Sequence, residues 1–458
     1  MWIVVIAFAV LAGAAVAEVK PHGLFSDNCV LQHGMSVPVW GTADSDEKVR
    51  VEFQGQKVSC VTKDGKWIVR LRPLKPGGPF AMKINDLEIK NVLVGEVWVC
   101  GGQSNMQFGL SSCAGGKDAI AGSADSELRL VNMESKASGT PLCDLKDKWV
   151  ECGPQTVGGF SGVGYFFGRD LRKALKTPVG LIDSAIGGTL VQAWTSRKTL
   201  GLPDDPNYTE TGRNEMNQPS VFYNAMIHPL LPFAIRGVIW YQGESNAGEA
   251  FRYETLFSNM IRDWRQSWGE GDFPFLFVQL APYGAIVDQP RESAWAELRE
   301  AQFLTSRSVP NTGMAVITDF GHPGDIHPIW KEPVGARLAL AARALVYGEK
   351  LVHEGPVFKS MEVKDNRAVL TFDNVGSGLE AKGGDLTGFA VAGEDHKYHN
   401  ARALIVRDKV LVSATEVSKP VAVRFGWADC PVVNLFNKDG MPACPFRTDD
   451  FPMVTAPK

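Results

Sequence analysis

The pattern of hydrophobic and polar residues changes twice along the chain. Between residues 18 and 91, apolar and polar residues alternate, as in KVRVEFQG and KWIVRLRPL, which is typical of half-buried β-strands. Between residues 92 and 348, short apolar runs alternate with helical stretches such as VGYFFGRDLRKAL and VGARLALAARALVYG. From 349 to 458 short strands return, as in ALIVRDKVLVSA. The pattern predicts a β domain, an α/β domain and a second β domain.

The apolar runs of the middle region indicate a parallel sheet with helices on both faces. These predicted strands are VLVGEVWV, VGLI, IRGVIWY, FPFLFVQL and GMAVIT, and the other predicted helices are ETLFSNMIRDWRQSW and SAWAELREAQFL. In such sheets ligands bind beyond the carboxyl ends of the strands. The loops that directly follow the apolar runs are therefore the first places to look for a functional site.

Composition and the first residues narrow the class of protein. A net charge of -4 without a long basic run excludes a nucleic-acid binder, which needs a surface that neutralises phosphates. The apolar stretch MWIVVIAFAVLAGAAVA ends in Ala15-Val16-Ala17, which predicts a signal peptide over residues 1–17. No later segment is apolar enough to span a bilayer. We expect a secreted or lysosomal protein, with the sequon Asn207-Tyr208-Thr209 as an expected glycosylation site.

Eight cysteines suit an oxidising compartment, and none forms a C-x-x-C pair of the kind that binds zinc. We therefore expect disulfides rather than a zinc site. The pairings expected are Cys143 with Cys152, Cys430 with Cys444, and Cys100 with Cys113.

Two glycine-containing loops follow predicted strands. In GGQSNMQ, the glycines allow a sharp turn that presents Ser104, although Met106 stands where a G-x-S-x-G elbow has its last glycine. An ordinary helix cap explains the same residues. In SAIGGT, Gly187 and Gly188 leave backbone N–H groups unobstructed, as an oxyanion pocket requires, although a plain turn would look alike.

A third loop, QGESN, places polar residues directly after the apolar run IRGVIWY, where each needs hydrogen-bond partners. The amide of Asn246 is a candidate oxyanion donor. Glu244 is either catalytic or orients this loop.

The fourth loop, GHPGDIHPIWKEPVGARLA, contains candidates for a general base. His327, with Asp325 two residues earlier, provides an imidazole and an acceptor for its far nitrogen. His322 with Asp319 has the D-x-x-H spacing and competes with this pair. A further interpretation makes His322, Asp325 and His327 metal ligands.

Together these blocks resemble the SGNH-hydrolase superfamily, in particular the sialate O-acetylesterases and related carbohydrate acetylesterases. The blocks are GEVWVCGGQSNM, IGGT followed by QAW, WYQGESNA, and DIHP followed by K and VGARLA, within residues 20 to 345. The resemblance implies a flavodoxin-like, three-layer SGNH-hydrolase domain over 92–348. A β-sandwich-like domain over 18–91 and a β domain over 349–458 would flank it.

The resemblance also implies an activity and a set of site residues. The activity is removal of O-acetyl groups from sugars, above all 9-O-acetylated sialic acids on sialoglycans, with acetylxylan as the alternative and without any metal or organic cofactor. The implied roles are Ser104 as nucleophile, His327 as base in preference to His322, Asp325 as its partner, Gly188 or Gly187 and Asn246 as oxyanion donors, and Gln103 and Glu244 as further oxyanion or substrate contacts.

Two features depart from the family pattern: Asp325 and His327 are spaced D-x-H rather than D-x-x-H, and Ile186 stands where relatives often have tryptophan. Two other classes of function remain open. One is a glycan-binding protein without turnover. The other is a glycosidase that uses Glu244 and Asp325 as its two carboxylates.

Overall fold

The computed structural model describes residues 19–457, so the predicted signal peptide lies outside the described residues. The N-terminal strands are β1 (Lys20–Pro21), β2 (Val30–Gln32), β3 (Val37–Thr42), β4 (Lys48–Phe53), β5 (Gln56–Val61), β6 (Lys66–Leu71) and β7 (Gly77–Ile84). Then follow β8 (Leu87–Gly102), α1 (Ser104–Gln107), α2 (Gly116–Ala121), β9 (Asp125–Asn132), β10 (Val150–Cys152), α3 (Gly162–Leu175), β11 (Val179–Ala185), α4 (Arg197–Leu200), β12 (Gly237–Tyr241), α5 (Ala250–Trp268), β13 (Phe275–Val278), α6 (Ala294–Ser308), β14 (Thr312–Ala315) and α7 (Lys331–Leu345).

The C-terminal region consists of strands. They are β15 (Val357–Lys364), β16 (Arg367–Asp373), β17 (Leu379–Ala381), β18 (Phe389–Ala392), β19 (Tyr398–Asn400), β20 (Arg402–Val406), β21 (Lys409–Ser413), β22 (Ala422–Phe425), β23 (Leu435–Asn437) and β24 (Phe446–Arg447). Short 3-10 turns occur at Leu110–Ser112, Val191–Trp194, Glu215–Asn217, His228–Leu230 and Glu244–Glu249, and a π turn at Tyr223–Ile227.

The centre of the molecule is a mixed sheet with the strand order β10-β9-β11-β8-β12-β13-β14. Neighbours from β9 to β14 in this order are parallel, and β10 is antiparallel to β9. The predicted strands correspond to β8, β11, β12, β13 and β14, and the predicted helices to α3, α5, α6 and α7; all are confirmed. Strand β9, with the sequence DSELRLVN, was not predicted.

Helix α3 shows how the sequence positions a helix against the central sheet. Ser161 caps its first turn, because the Ser161 side chain accepts a hydrogen bond from the backbone N–H of Gly164 at 3.0 Å. Gly168 lies so close to the sheet that a β-carbon there would lie 2.6 Å from Leu181 of β11. The small residue therefore lets α3 pack tightly on the strand that leads into the SAIGGT loop.

Strand β8 joins the N-terminal strands to the central sheet. It pairs with β2 and β7 near its start and with β11 and β12 near its end. The boundary predicted between residues 91 and 92 falls inside this strand. Side chains of the two regions, such as Val39, Val51 and Trp98, belong to one hydrophobic core. The N-terminal strands thus support the strand that carries Ser104.

The C-terminal strands form three sheets, with the orders β15-β16-β21-β20, β17-β23 and β19-β18-β22-β24. Their core includes Leu370, Val391 and Phe425. The buried Arg299 of α6 joins this region to the central sheet, because its guanidinium donates to the carbonyls of Leu280 and Asp429, each at 2.8 Å. Within residues 19–457, no helix has both the length and the apolar character needed to cross a bilayer.

Candidate active site

Three of the four loops singled out in the sequence begin side by side at one edge of the central sheet. In the register of the parallel strands, Gly102 at the end of β8 is paired with Ala185 of β11 and with Tyr241 of β12. The loops that start with Gln103, Ile186 and Gln242 therefore leave the sheet next to one another. This is the edge at which parallel sheets bind ligands.

Gly102 explains why β8 ends in glycine. It has a φ of +141°, and a β-carbon at this position would lie 2.2 Å from the carbonyl oxygen of Tyr241. Only glycine fits this turn, so the prediction is confirmed for Gly102. Helix α1 begins two residues later, at Ser104.

The structure brings Ser104 and His327 together. His327 Nε2 lies 2.8 Å from Ser104 Oγ, although 223 residues separate them along the chain. The Phe108 ring stacks on the imidazole with ring centroids 6.4 Å apart. Burial, and then the positive charge of Lys331, lower the pKa of His327, while Asp325 opposes this shift. At neutral pH the imidazole is therefore uncharged and able to accept a proton.

Asp325 lies beside His327 without a side-chain hydrogen bond to it. Asp325 Oδ1 accepts a hydrogen bond from the backbone N–H of His327 at 2.8 Å, but lies 3.8 Å from His327 Nδ1. The second distance is too long for a hydrogen bond. The carboxylate thus fixes the loop backbone and acts on the imidazole by charge.

The competing pair, Asp319 with His322, does not form. Both carboxylate oxygens of Asp319 accept hydrogen bonds from Arg337, each at 2.6 Å. His322 is exposed, and its Nδ1 accepts a hydrogen bond from the backbone N–H of Gly324 at 3.1 Å. Asp319 is therefore occupied as a structural partner of Arg337.

Of the two glycines in SAIGGT, Gly187 is the one beside Ser104. A β-carbon on Gly187 would lie 3.2 Å from Ser104 Cβ, whereas one on Gly188 would meet no atom within 4 Å. The N–H of Gly187 donates to Gln107 Oε1 at 2.9 Å, and the carbonyl of Gly188 accepts from Asn217 Nδ2 at 3.0 Å. Gly187 is therefore the glycine closer to Ser104, and its N–H is bonded to Gln107.

Asn246 is fully buried and connects two of the loops. Its Oδ1 accepts hydrogen bonds from the backbone N–H of Val191 at 2.9 Å and from Gln242 Nε2 at 2.8 Å. Its Nδ2 donates to Gln192 Oε1 at 3.0 Å. Because an amide nitrogen carries two hydrogens, this bond leaves one hydrogen for another acceptor.

Gln103 and Glu244, which the resemblance places at the substrate, are buried and form hydrogen bonds with the neighbouring loops. Gln103 is buried, and its Oε1 accepts hydrogen bonds from the backbone N–H groups of Gly243 and Ser245, each at 3.3 Å. Glu244 is also buried, and its Oε1 accepts a hydrogen bond from Asn105 Nδ2 at 2.6 Å. Both side chains bond to buried polar groups of the loops, while Glu244 Oε2 has no hydrogen-bond partner within residues 19–457.

The carboxyl groups of Glu244 and Asp325 do not form a glycosidase pair. Glu244 is enclosed by protein, whereas the side chain of Asp325 is 54% exposed. Two catalytic carboxyls of a glycosidase must face the same glycosidic bond. The Glu244 carboxyl is instead held behind the loop by Asn105.

Sequence reasoning missed Asn105 and gave no role to Lys331. Lys331 is buried in the first turn of α7, with its Nζ 2.5 Å from Asn105 Oδ1. Asn105 also donates to the carbonyl of Ile326 at 2.9 Å. A lysine directly after the DIHP block was visible in the sequence, but lysine side chains are rarely buried and are normally assigned to the surface.

The expected disulfides do not form, because all eight cysteines have free thiols. Cys143 is exposed whereas Cys152 is buried. Cys444 Sγ instead accepts a hydrogen bond from Gln279, and Cys113 Sγ contacts the carbonyl of Gly109. In the part of the chain from 19 to 457, no group of three or more His, Cys, Asp and Glu side chains is arranged to hold a metal ion, so His322, Asp325 and His327 do not form such a site.

The region that contains these site residues matches a known protein family. Residues 94–338 match the family described as carbohydrate esterase, sialic acid-specific acetylesterase. The chain is 34% identical to the sialate O-acetylesterase of Mus musculus over 408 residues, which cover 73% of this chain and 75% of that protein. It is also 34% identical to the sialate O-acetylesterase of Homo sapiens over 380 residues, or 72% of each chain.

A solved structure is similar to this protein over almost the whole length of both chains. The crystal structure of a carbohydrate acetylesterase from Xanthomonas citri superposes with a TM-score of 0.90 at 42% sequence identity. The match covers 95% of this chain and 100% of that chain. The central mixed sheet and the flanking strands therefore belong to one shared architecture.

Proposed function

The chain belongs to the carbohydrate esterase family of sialic acid-specific acetylesterases, and from this we infer that it is a hydrolase that removes O-acetyl groups from sugars. The observation that carries a serine mechanism is the distance of 2.8 Å between Ser104 Oγ and His327 Nε2. A serine next to an uncharged imidazole is the arrangement that activates a hydroxyl for attack on an ester.

The proposed reaction has two halves. His327 Nε2 takes the proton from Ser104 Oγ as the oxygen attacks the acetyl carbonyl carbon, and the imidazolium then gives this proton to the departing sugar oxygen. In the second half, His327 deprotonates a water molecule that attacks the acetyl-enzyme. Acetate leaves, and Ser104 regains its proton.

The negative charge that develops on the carbonyl oxygen needs donors near Ser104. We assign this role to the backbone N–H groups of Ser104 and Gly187 and to the remaining Nδ2 hydrogen of Asn246. Gln107 Oε1 must leave the N–H of Gly187 before a substrate oxygen can bind there, because the two oxygens compete for one donor.

Asp325 is proposed to stabilise the imidazolium by charge alone. At 3.8 Å from Nδ1 it is close enough to favour the protonated ring but makes no hydrogen bond to it. The absence of a hydrogen bond between Asp325 and the ring distinguishes the site from a triad in which the carboxylate holds the ring through such a bond.

The preferred substrate is proposed to be a 9-O-acetylated sialic acid, in line with the names of the mouse and human relatives. Acetylxylan or another acetylated carbohydrate is the alternative, compatible with the name of the carbohydrate acetylesterase from Xanthomonas citri, which has the higher sequence identity. A glycan-binding protein without turnover would not need the contact between Ser104 and His327.

We also propose a domain architecture and a location for the protein. We assign residues 92–348 to a three-layer, flavodoxin-like SGNH-hydrolase domain, with β domains at 18–91 and 349–458. We further propose secretion or lysosomal targeting after cleavage following Ala17. Asn207 is exposed, as a glycosylated residue must be.

The test is acetate release from 9-O-acetylated sialic acid, acetylated xylan and p-nitrophenyl acetate, with the wild type and the variant Ser104→Ala. We expect acetate release that depends on Ser104, with 9-O-acetylated sialic acid as the best substrate. Faster acetate release from acetylated xylan would reassign the preferred substrate but leave the serine mechanism in place. Equal rates for the wild type and Ser104→Ala would rule out the serine mechanism.

A further inference from the structure

Lys331 is a buried cation directly behind the nucleophile. It is 1% exposed, and its Nζ lies 2.5 Å from Asn105 Oδ1, 4.8 Å from the centre of the Phe108 ring and 5.5 Å from the centre of the Tyr241 ring. Burying a charged group is unfavourable unless the protein supplies partners. A lysine kept in such a place therefore calls for an explanation.

Asn105 uses its side chain to connect three loops. Its Oδ1 accepts from Lys331, and its Nδ2 donates to Glu244 Oε1 at 2.6 Å and to the carbonyl of Ile326 at 2.9 Å. Asn105 directly follows Ser104, and Ile326 directly precedes His327. The amide thus holds the residue next to the nucleophile against the residue next to the base.

This connection matters because the sheet itself does not bring the two catalytic loops together. The Ser104 loop follows β8, whereas the His327 loop follows β14, and β12 and β13 lie between these strands in the sheet. The bond from Asn105 to Ile326 is a direct bridge between the two loops. Phe108 is a second bridge, since its ring contacts the Lys331 ammonium and stacks on the His327 imidazole.

We propose that Lys331, acting through Asn105 and Phe108, is a positioning residue that sets the contact between Ser104 and His327 in the esterase reaction. The inference rests on the proposed serine mechanism, in which this contact transfers the proton. Lys331 and Asn105 touch neither the acetyl group nor the sugar in this account, because both are enclosed behind Ser104. The Glu244 carboxyl lies on the other side of Asn105 and raises the pKa of Lys331, although burial raises the pKa of Glu244 as well.

The charges around His327 make the inference testable by pH. The charged groups that act on the imidazole are Lys331 from α7 and Asp325 from its own loop, while α1 contributes the uncharged Ser104 and the following Phe108 ring. Burial lowers the pKa of Lys331 to about 8, so the amine still carries a proton at neutral pH. Its charge lowers the pKa of His327, and removing it must raise that pKa.

The experiment compares Lys331→Met and Asn105→Ala with the wild type in kcat, KM and pH dependence on an acetylated sugar. We expect kcat to fall by about 100-fold in both variants, because displacement of a reacting group by about 1 Å costs that much. KM should stay within about twofold, because neither residue contacts the sugar. In Lys331→Met the acid limb of kcat/KM should also move to higher pH, whereas Asn105→Ala keeps the cation and should not move it.

The matched control is Glu332→Gln. Glu332 is the next residue of the same helix turn, but its side chain is exposed and pairs with Arg169 at the surface. This variant should keep the wild-type kcat and pH profile. Glu244→Gln keeps an oxygen acceptor for Asn105 and should lose less activity than Asn105→Ala.

Thermal melting identifies which variants are folded, and either of the two main variants suffices for the test. Unchanged kcat in a folded Lys331→Met or Asn105→Ala, or an acid limb that stays in place in a folded Lys331→Met, would overturn the inference. The variant Ser104→Ala separates this failure from failure of the proposed function. If Ser104→Ala is inactive while the positioning variants match the wild type, the esterase mechanism holds and only the role of Lys331 is wrong.

Discussion

Gln107 Oε1 accepts a hydrogen bond from the backbone N–H of Gly187 at 2.9 Å, directly beside Ser104. Gln107 thus occupies the N–H of Gly187, which in the proposed mechanism donates to the substrate's carbonyl oxygen. A net hydrogen bond of this kind contributes about 1 kcal/mol, which corresponds to roughly a fivefold change in binding. Substrate binding must displace this contact.

We therefore predict that Gln107→Ala raises kcat/KM for acetylated substrates by about fivefold, because the N–H of Gly187 becomes free. Gln107→Glu keeps the acceptor and adds a negative charge next to the developing oxyanion, so it should lower kcat/KM. Steady-state kinetics on p-nitrophenyl acetate provide the measurement. A loss of activity in Gln107→Ala would mean that Gln107 assists the reaction instead.

Substitutions at the two glycines should have different effects. Gly187→Ala forces a methyl group to within 3.2 Å of Ser104 Cβ, so we predict a fall in kcat of at least about tenfold. Gly188 has open space but a φ of +75°, so Gly188→Ala should cost about 1 kcal/mol of stability with little change in kcat. Kinetics and thermal melting of the pair test this. A larger kcat defect in Gly188→Ala would support Gly188 as the oxyanion glycine.

Asp325→Asn should have a small effect on rate and a defined effect on pH dependence. The carboxylate raises the pKa of His327 by its charge, so its neutralisation lowers that pKa and moves the acid limb of kcat/KM to lower pH. Since Asp325 makes no hydrogen bond to the ring, we expect kcat to fall by about tenfold or less, far below the loss of about 10⁴-fold seen where such a bond is broken.

The control for this variant is Asp319→Asn, which breaks the pair with Arg337 and should leave the acid limb in place. If Asp319→Asn instead abolishes activity and Asp325→Asn does not, the acid has been assigned to the wrong aspartate.

Asp183 on β11 should make stability depend on pH. It is buried, its Oδ1 has no hydrogen-bond partner within the described chain, and burial raises its pKa from 3.8 to about 7. Between these two values the unfolded chain has lost the proton that the folded chain keeps, so the free energy of unfolding falls as pH rises. The shift corresponds to about 4 kcal/mol, reached in full above pH 7.

Asp183→Asn cannot titrate and should lose this slope. Denaturant unfolding of both proteins at several pH values between 4 and 8 gives the comparison. We predict that the stability of the variant relative to the wild type increases with pH across this range. Parallel curves would show that Asp183 is ionised in the folded protein.

Most strands of the central sheet could be predicted because they contain mainly apolar runs separated by amphipathic helices. Strand β9 was missed because five of the eight residues in DSELRLVN are polar. Its Arg129 is buried through hydrogen bonds to Asn28 and Asn91, which lie more than thirty residues away and are not visible in any local pattern. The hydrophobic pattern changes at residue 91, but strand β8 continues through that position, with an irregular register against β7.

In the site, Ser104 and His327 could be found because each follows a predicted strand and belongs to a family block. The family resemblance favoured His327 over His322. The physical reason needed the structure, since Arg337, eighteen residues beyond Asp319, occupies that aspartate. Gln103 and Glu244 were placed at the substrate because polar residues in a loop look the same whether they point outward or inward. Only the positions of Gly243 and Asn105 show that they satisfy buried groups.

The most direct test of the account is to trap the covalent intermediate. The protein is mixed with an acetylated substrate, quenched in acid within a turnover and digested, and the peptides are examined by mass spectrometry. The account predicts an acetyl group on Ser104 in the peptide containing GGQSNMQ, with no adduct and no acetate release in Ser104→Ala. Turnover by Ser104→Ala, or an acetyl group on another residue that turns over at the catalytic rate, would contradict it.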